Sequence, residues 1–314
     1  MSVIVTLTMN PALDVATSAA SVRPGHKLRC ATPRFDPGGG GINVARTITA
    51  LGGEALAIFP SGGAAGERIE RLLAEQGVPH RALPIAGATR ESITVADRRA
   101  GEHYRFILPG PALSTAERQA CLAAIIALEP RPRWLVASGS LPPGVGDDFY
   151  AGLAHFCEAN GVQMVLDTSG PALAACRGAN LYLVKPSLSE LAGLVGHDVE
   201  GEAAELAAAC TVRSMGYARN VLVSLGERGA LLVSDEGHRR IPAIPVAARS
   251  AVGAGDAMVG ALVLALDRGR PLSQAIYYAA GAGAAALLAP GTQLVRASDV
   301  DRLYRSAHVG NDAT

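Results

Sequence analysis

The sequence predicts an α/β protein, an open sheet covered by helices, with a small separate β-sheet attached. Three observations lead there. Apolar, β-branched runs alternate with helix-patterned segments along most of the 314 residues. The ends of four runs, at 138–144, 167–169, 185–190 and 224–229, carry small or polar residues, and the carboxyl ends of strands are where open α/β sheets bind ligands. Between Thr89 and Leu108 that rhythm is interrupted by two alternating segments around the turn Arg98-Arg-Ala-Gly101-Glu, which reads as a hairpin.

Composition bounds the rest. The chain exceeds the usual single-domain length, yet alternating α/β domains run this long, so one large domain with an appendage is expected. A hydrophobic share of 49%, 36 glycines and a mean hydropathy of +0.24 indicate a closely packed core and exclude disorder. Lys plus Arg equal Asp plus Glu at 28 each, so no overall field favours nucleic acid or an anionic membrane, and any anion site must be local. The start, Met1 to Thr8, carries no basic leader, and the longest apolar run, Ala279 to Pro290, is too short to span a bilayer; a cytosolic location is expected. Cys30, Cys121, Cys157, Cys176 and Cys210 show neither C-x-x-C nor metal-ligand spacing and read as buried small hydrophobes. All but two of the basic residues are arginine, and the two lysines, Lys27 and Lys185, stand either by chance or where a compact ammonium matters.

In chain order, residues 3–9 read as a buried strand ending at Asn10-Pro-Ala-Leu-Asp14, where Asp14 is a turn residue or a carboxylate for sugar hydroxyls. Residues 27–35 read as an edge strand outside the main core. Asp36-Pro-Gly-Gly-Gly-Gly-Ile-Asn43 follows, opening directly into an amphipathic helix, as a linker does not; the glycines permit close approach of a polar ligand, and Asn43 points toward it from the first turn. A strand from Glu54 to Pro60 and a helix from Gly66 to Gly77 come next. The hairpin at 89–108, joined with residues 15–35, makes a small sheet, a lid or a dimer contact, and about two strands are marginal alone, so a second copy is expected to complete it. From 113 the alternation resumes: helix 114–128, strand 134–144, helix 147–160, strand 163–167, a short helix, strand 181–190, helix 202–215 and a strand from Val221.

The chain is organised around Arg249-Ser-Ala-Val-Gly-Ala-Gly-Asp256, a glycine-rich turn running into the apolar helix to Leu266. Gly253 and Gly255 let backbone N–H groups converge, and the start of the helix attracts an anion. Asp256 either caps the helix or, beside a phosphate pocket, takes a proton from a nucleophile aimed at that phosphate.

Five motifs in order resemble the ribokinase-like (PfkB-type) carbohydrate kinases: Pro37-Gly-Gly-Gly-Gly-Ile-Asn-Val-Ala-Arg, Lys185-Pro-x-x-x-Glu190, Ser224-Leu-Gly-x-x-Gly229 and Val252-Gly-Ala-Gly-Asp256, with Ser138-Gly-Ser-Leu-Pro-Pro-Gly144 resembling the phosphofructokinase branch. The resemblance covers nearly the whole chain and implies a ribokinase-like three-layer α/β/α sandwich with a small β-sheet lid. The main domain is then 1–12, 36–88 and 109–314, and the lid 13–35 and 89–108. The implied activity is phosphorylation of fructose 6-phosphate at O1 by ATP with Mg2+, in a homodimer contacting through the lid. A tagatose-6-phosphate kinase, a 1-phosphofructokinase and a non-catalytic sugar-phosphate sensor remain as alternatives. Carried over residue by residue, the resemblance makes Asp256 the base, with Gly253, Ala254 and Gly255 as the anion hole. Asp14, Gly39, Gly40 and Asn43 hold sugar hydroxyls, and Lys27, Arg90 and Ser140 the sugar phosphate. Lys185, Ser187, Ser224, Gly226 and Gly229 line ATP, and Glu190 orders magnesium-bound water. A potassium site is implied at carbonyls near Ser250, Val252, Ala286, Ala289 and Gly291. Where the family usually has Asn this chain has Ser187, whose shorter side chain keeps a hydroxyl but lacks the amide.

Overall fold

The computed structural model describes residues 4–248, 252–289 and 293–309. Its main sheet runs, edge to edge, β13 (Gly237–Ile241), β12 (Ala230–Ser234), β11 (Ala218–Ser224), β10 (Leu181–Val184), β9 (Gln163–Asp167), β8 (Trp134–Ser138), β1 (Ile4–Leu7), β4 (Ala55–Ser61) and β5 (His80–Pro84). Every pairing is parallel except the two made by β12.

The strands are apolar on both sides because both faces are covered. Phe59, Val136, Val165, Leu183 and Leu222 face α1 (Gly40–Ala50), α8 (Ala254–Asp267) and α9 (Leu272–Leu288). The alternate residues Ile58, Leu135, Leu166, Val184 and Val223 face α3 (Thr115–Ile126), α4 (Phe149–Ala159), α6 (Leu188–Val195) and α7 (Glu202–Ser214). The result is the three-layer sandwich. Residues Ala257 to Leu266 of α8 are buried without interruption, so this helix lies wholly inside the protein. At Gly260 a Cβ would come within 3.0 Å of the Val44 carbonyl and Thr47 Cβ, and the missing side chain lets α8 lie directly against α1. That close crossing brings the starts of the two helices together.

The small sheet has four strands, β3 (Arg34–Gly38), β2 (Ala12–Ala19), β6 (Arg90–Asp97) and β7 (Glu102–Ile107), in that order. The expectation of about two strands is corrected, because β2 leaves the carboxyl end of β1 and pairs in parallel with β6 along its whole length. The edge strand expected at 27–35 is also displaced. The strand starts at Arg34, and residues 20–33 form a loop that touches β2 at the Ala19–Cys30 bridge and at Ala31, whose N–H donates to the Ser18 carbonyl at 2.9 Å and whose carbonyl accepts from Thr17 Oγ1 at 2.8 Å. Pro24, Gly25 and Pro33 interrupt pairing there, while Asp97 holds the loop by accepting from the Val22 N–H at 2.8 Å. Cys30 and Cys210 are exposed, contrary to the expectation of burial; Cys121, Cys157 and Cys176 are buried. Among the described residues no helix is long and apolar enough to cross a membrane.

Candidate active site

The carboxyl ends of β1, β8, β9, β10 and β11 converge with the starts of α1 and α8. Gly253 takes the N-cap of α8 with φ 80, a left-handed conformation that favours glycine. The first backbone bond of the helix runs from the Ala257 N–H to Gly253, so the amides of Ala254 and Gly255 are opening donors of the helix. Asp256 does not cap them. Its carboxylate turns instead to α1 and β8, accepting from Asn43 Nδ2 at 3.0 Å and from Ser138 Oγ at 3.4 Å. Burial, reinforced by the Asp167 carboxylate, pushes its pKa up to about 7, against the pull of Asn43, Lys185 and Ser138. A carboxylate poised there exchanges protons near neutrality, as a general base requires.

Asn43 is aimed by a residue that motif reading did not single out. Arg46, one turn along α1 and 2% exposed, donates to Asn43 Oδ1 at 3.1 Å, to the Pro37 carbonyl at 3.0 Å and to Gln76 Oε1 at 2.8 Å. Its presence among the buried positions of α1 was the available signal: an arginine on an apolar helix face has a buried task. Asp167 and Ser138 were also missed as individual residues, although both lie at strand ends read as the crevice rim. Asp167 pairs with Lys185 at 3.1 Å. Burial alone would lower the Lys185 pKa, but Asp167, followed by Asp256 and Glu190, outweighs it and holds the ammonium above its ordinary value. Lys185 Nζ lies 3.5 Å from where a Gly255 Cβ would stand, so the cation adjoins the opening amides of α8.

The four glycines at 38–41 are required by the protein's own atoms as well as by any ligand. A Cβ on Gly38 would strike the Asp14 carboxylate, one on Gly39 would meet Thr8 Cγ2 at 2.6 Å, one on Gly40 would strike Ser138 Oγ, and one on Gly41 would meet the Leu7 carbonyl at 2.5 Å. Gly39 also has φ 111. Asp14 lies in β2 rather than in a turn, and its pKa is raised to about 6 by burial, with Arg46, Arg105 and Arg90 opposing and Asp36 assisting.

Arg90 starts β6 beside this group and donates to the carbonyls of Asn10 at 3.1 Å and Leu108 at 3.3 Å. Asn10 in turn donates to Ser140 Oγ at 3.1 Å, so Arg90, Asn10 and Ser140 form one chain. Lys27 is not part of it: the residue is exposed on the 20–33 loop and makes no hydrogen bond or ion pair with another described residue. On the other side of Lys185, Ser187 and Glu190 form a capping box at the start of α6, Ser187 N–H donating to Glu190 Oε2 at 2.7 Å. Ser187 bridges to Ser224 at the end of β11. Gly226, with φ 60, starts the turn 226–228, which the fully buried Glu205 of α7 anchors through Arg228, and Glu205 also binds Arg240 at 2.8 Å. A Cβ on Gly229 would collide with the Ile241 carbonyl, so that glycine serves close chain packing. Val252, Gly253 and Ala286 line a small cavity of about 20 Å³ with Asn43 and Arg46; Ala289 ends α9, and Ser250 and Gly291 lie outside the described residues.

The model of the pfkB family of carbohydrate kinases matches residues 2–298. The chain is 46% identical over 313 residues to the ATP-dependent 6-phosphofructokinase isozyme 2 of Mycobacterium tuberculosis, covering 98% of this chain and 92% of that protein. Crystal structures of phosphofructokinase-2 from Escherichia coli superpose along its length. The complex with fructose-6-phosphate gives a TM-score of 0.92 at 40% identity, and the complex with potassium 0.93 at 41%, each covering 98% of this chain and 100% of the other.

Proposed function

Since the chain belongs to the pfkB family of carbohydrate kinases, we propose that it transfers the terminal phosphoryl group of MgATP to O1 of fructose 6-phosphate, releasing fructose 1,6-bisphosphate and ADP. The observation that carries the reading is Asp256: a buried carboxylate with its pKa raised to about 7, at the start of a helix whose first amides have no acceptor among the described residues, and beside a buried lysine. In the reaction Asp256 takes the O1 proton, O1 bonds to the γ-phosphorus, and the bond to the bridging oxygen breaks with its electrons leaving on ADP. The amides of Gly253, Ala254 and Gly255 and the Lys185 ammonium stabilise charge on the transferring group, which is most of what phosphoryl transfer asks of a protein.

Asp14, Gly39, Gly40 and Asn43 bind the sugar hydroxyls, and Arg90, assisted by Ser140 and by Lys27 after loop movement, binds the 6-phosphate. Ser187, Ser224, Gly226 and Gly229 line the nucleotide. Among the described residues no cluster of three or more His, Cys, Asp or Glu side chains forms a metal site. A magnesium ion that arrives on the nucleotide and meets Glu190 through water fits that donor set. A potassium ion at the carbonyls of Val252, Ala286 and Ala289, with Ser250 and Gly291, would add positive charge behind the anion hole. The small sheet, residues 13–35 and 89–108, covers the sugar and joins two copies into a dimer.

The test is ADP release, measured as initial rates over a panel of phosphorylated ketohexoses. The highest kcat/KM is expected for fructose 6-phosphate. A preference for tagatose 6-phosphate or fructose 1-phosphate would transfer the assignment to the corresponding kinase, and binding without ADP release would make the protein a sensor.

A further inference from the structure

A second cleft, of about 360 Å³, opens at the far end of the main sheet, at the amino-terminal ends of β8 and β9 and against the corner where α8 turns into α9. It is lined by Arg133, Trp134, Gln163, Tyr182, Arg270 and Leu272, among others, and among the described residues no carboxylate lines it. Arginine and tryptophan only donate hydrogen bonds, so the polar lining is biased toward accepting ligands. Trp134, 3% exposed, presents its ring at the cleft wall, while its Nε1–H is sealed from solvent with no acceptor among the described residues. The guanidiniums are steadied by aromatic rings: Arg133 lies 5.6 Å from the Trp134 ring, and Arg270 lies 5.2 Å from Tyr278 and 5.4 Å from Tyr304. At the same corner α9 starts with Pro271 as N-cap and no side-chain cap, adding the positive end of a 17-residue helix. The nearby carboxylates of Asp235 and Glu236 act on Tyr182 from the β12–β13 turn and do not line the cleft.

We propose that this cleft binds a small multivalent oxyanion, a metabolite bearing phosphate or paired carboxylates, at a site separate from catalysis. Leu266 at the cleft and Asp256 in the active site lie on the same helix about 15 Å apart at 1.5 Å per residue, so a ligand here is out of reach of the reacting atoms.

Trp134 is the only tryptophan, so its emission reports directly on the cleft. The whole protein is titrated without magnesium with inorganic pyrophosphate and, separately, with malonate, and the preferred probe tells phosphate from carboxylate chemistry. A saturable change of emission with at least one probe is expected, weakened about tenfold or more by Arg133→Ala and restored in part by Arg133→Lys. Arg133 is exposed, so its replacement leaves the fold intact; Arg270→Ala should act in the same direction. An unchanged response in Arg133→Ala would put the anion in the catalytic crevice and overturn the proposal, as would the absence of any saturable response.

Discussion

The Asn43 amide donates to Asp256 Oδ2 at 3.0 Å while its oxygen accepts from Arg46 at 3.1 Å, so the buried guanidinium fixes which way the amide faces. That donor favours the charged carboxylate, against burial and against Asp167. Asn43→Ala removes it and should raise the Asp256 pKa from about 7 by about a unit. The deprotonated fraction at pH 7 then falls from about half to about a tenth, lowering kcat roughly fivefold there, with recovery toward pH 9. A pH–rate profile checks this, and an equal loss at every pH would limit Asn43 to holding the sugar.

Asp256→Asn should lower kcat by about 10²-fold or more while leaving sugar-phosphate binding within a few-fold. It should also stabilise the fold at alkaline pH. With a folded pKa of about 7 against 3.8, the native state keeps a proton that the unfolded chain has released, so stability falls as pH rises between those values. At 1.36 kcal/mol per unit the loss approaches roughly 4 kcal/mol as an upper bound. Thermal melts should show the variant more stable than the parent at pH 8 and the gap closing toward pH 4. A gap that widens in acid would reverse the sign and remove the case for a raised pKa.

Ser187 accepts from the Glu190 N–H at 3.3 Å, and this capping box gives the position a structural task beside its proposed nucleotide role. Ser187→Ala should cost about 0.5–2 kcal/mol of stability, measured by denaturant melts. The Ser187 N–H that holds the Glu190 carboxylate is kept in this variant, so only the hydroxyl is tested: if it belongs to the magnesium-water network, the magnesium concentration needed for half-maximal rate should also rise. Ser187→Asn, which still caps, should leave both near the parent values. Lost stability with unchanged magnesium dependence would leave only the cap.

Phe106 and Ile107, at the end of the edge strand β7, and Leu108 just past it are 52%, 56% and 44% exposed. Contiguous exposed apolar residues on an edge strand mark a contact surface. Phe106→Asp should shift the mass seen by light scattering from dimer toward monomer at micromolar concentration. A monomeric parent, fully active, would refute the dimer outright.

Much of this was readable from the chain because sheet strands and glycine turns write themselves locally. The strand Gln163–Asp167 and the turn into Asp256 follow from apolar runs and glycine spacing. The small sheet was harder to read, since the parallel β2–β6 pairing joins residues nearly eighty positions apart and leaves no local trace. Arg46 and Asp167 were missed for a related reason: their roles come from partners contributed by other elements, Asn43 within the helix but Gln76 and Lys185 from elsewhere. The run at 38–41 was read as room for a ligand, whereas Asp14, Thr8, Ser138 and Leu7 already occupy the space beside it.

Arg90 combines both kinds of role, and its substitution separates them. Its guanidinium ties the Asn10 and Leu108 carbonyls, joining the end of β1 to the end of the small sheet, and its Nε has no partner among the described residues. Burial lowers its pKa, with Asp14 opposing, so the cation is partly desolvated beside the proposed sugar site. A charge-assisted contact to a desolvated phosphate is worth about 2–5 kcal/mol on truncation, so Arg90→Ala should lower kcat/KM for fructose 6-phosphate by roughly 30-fold or more. Loss of the two backbone contacts should lower the melting temperature as well, and unphosphorylated fructose distinguishes the two effects. If Arg90 grips the phosphate, the feeble rate on fructose barely changes while the rate on the phosphate ester collapses. An equal loss on both would mean that Arg90 only holds the small sheet in place, and the phosphate contact would then have to come from elsewhere.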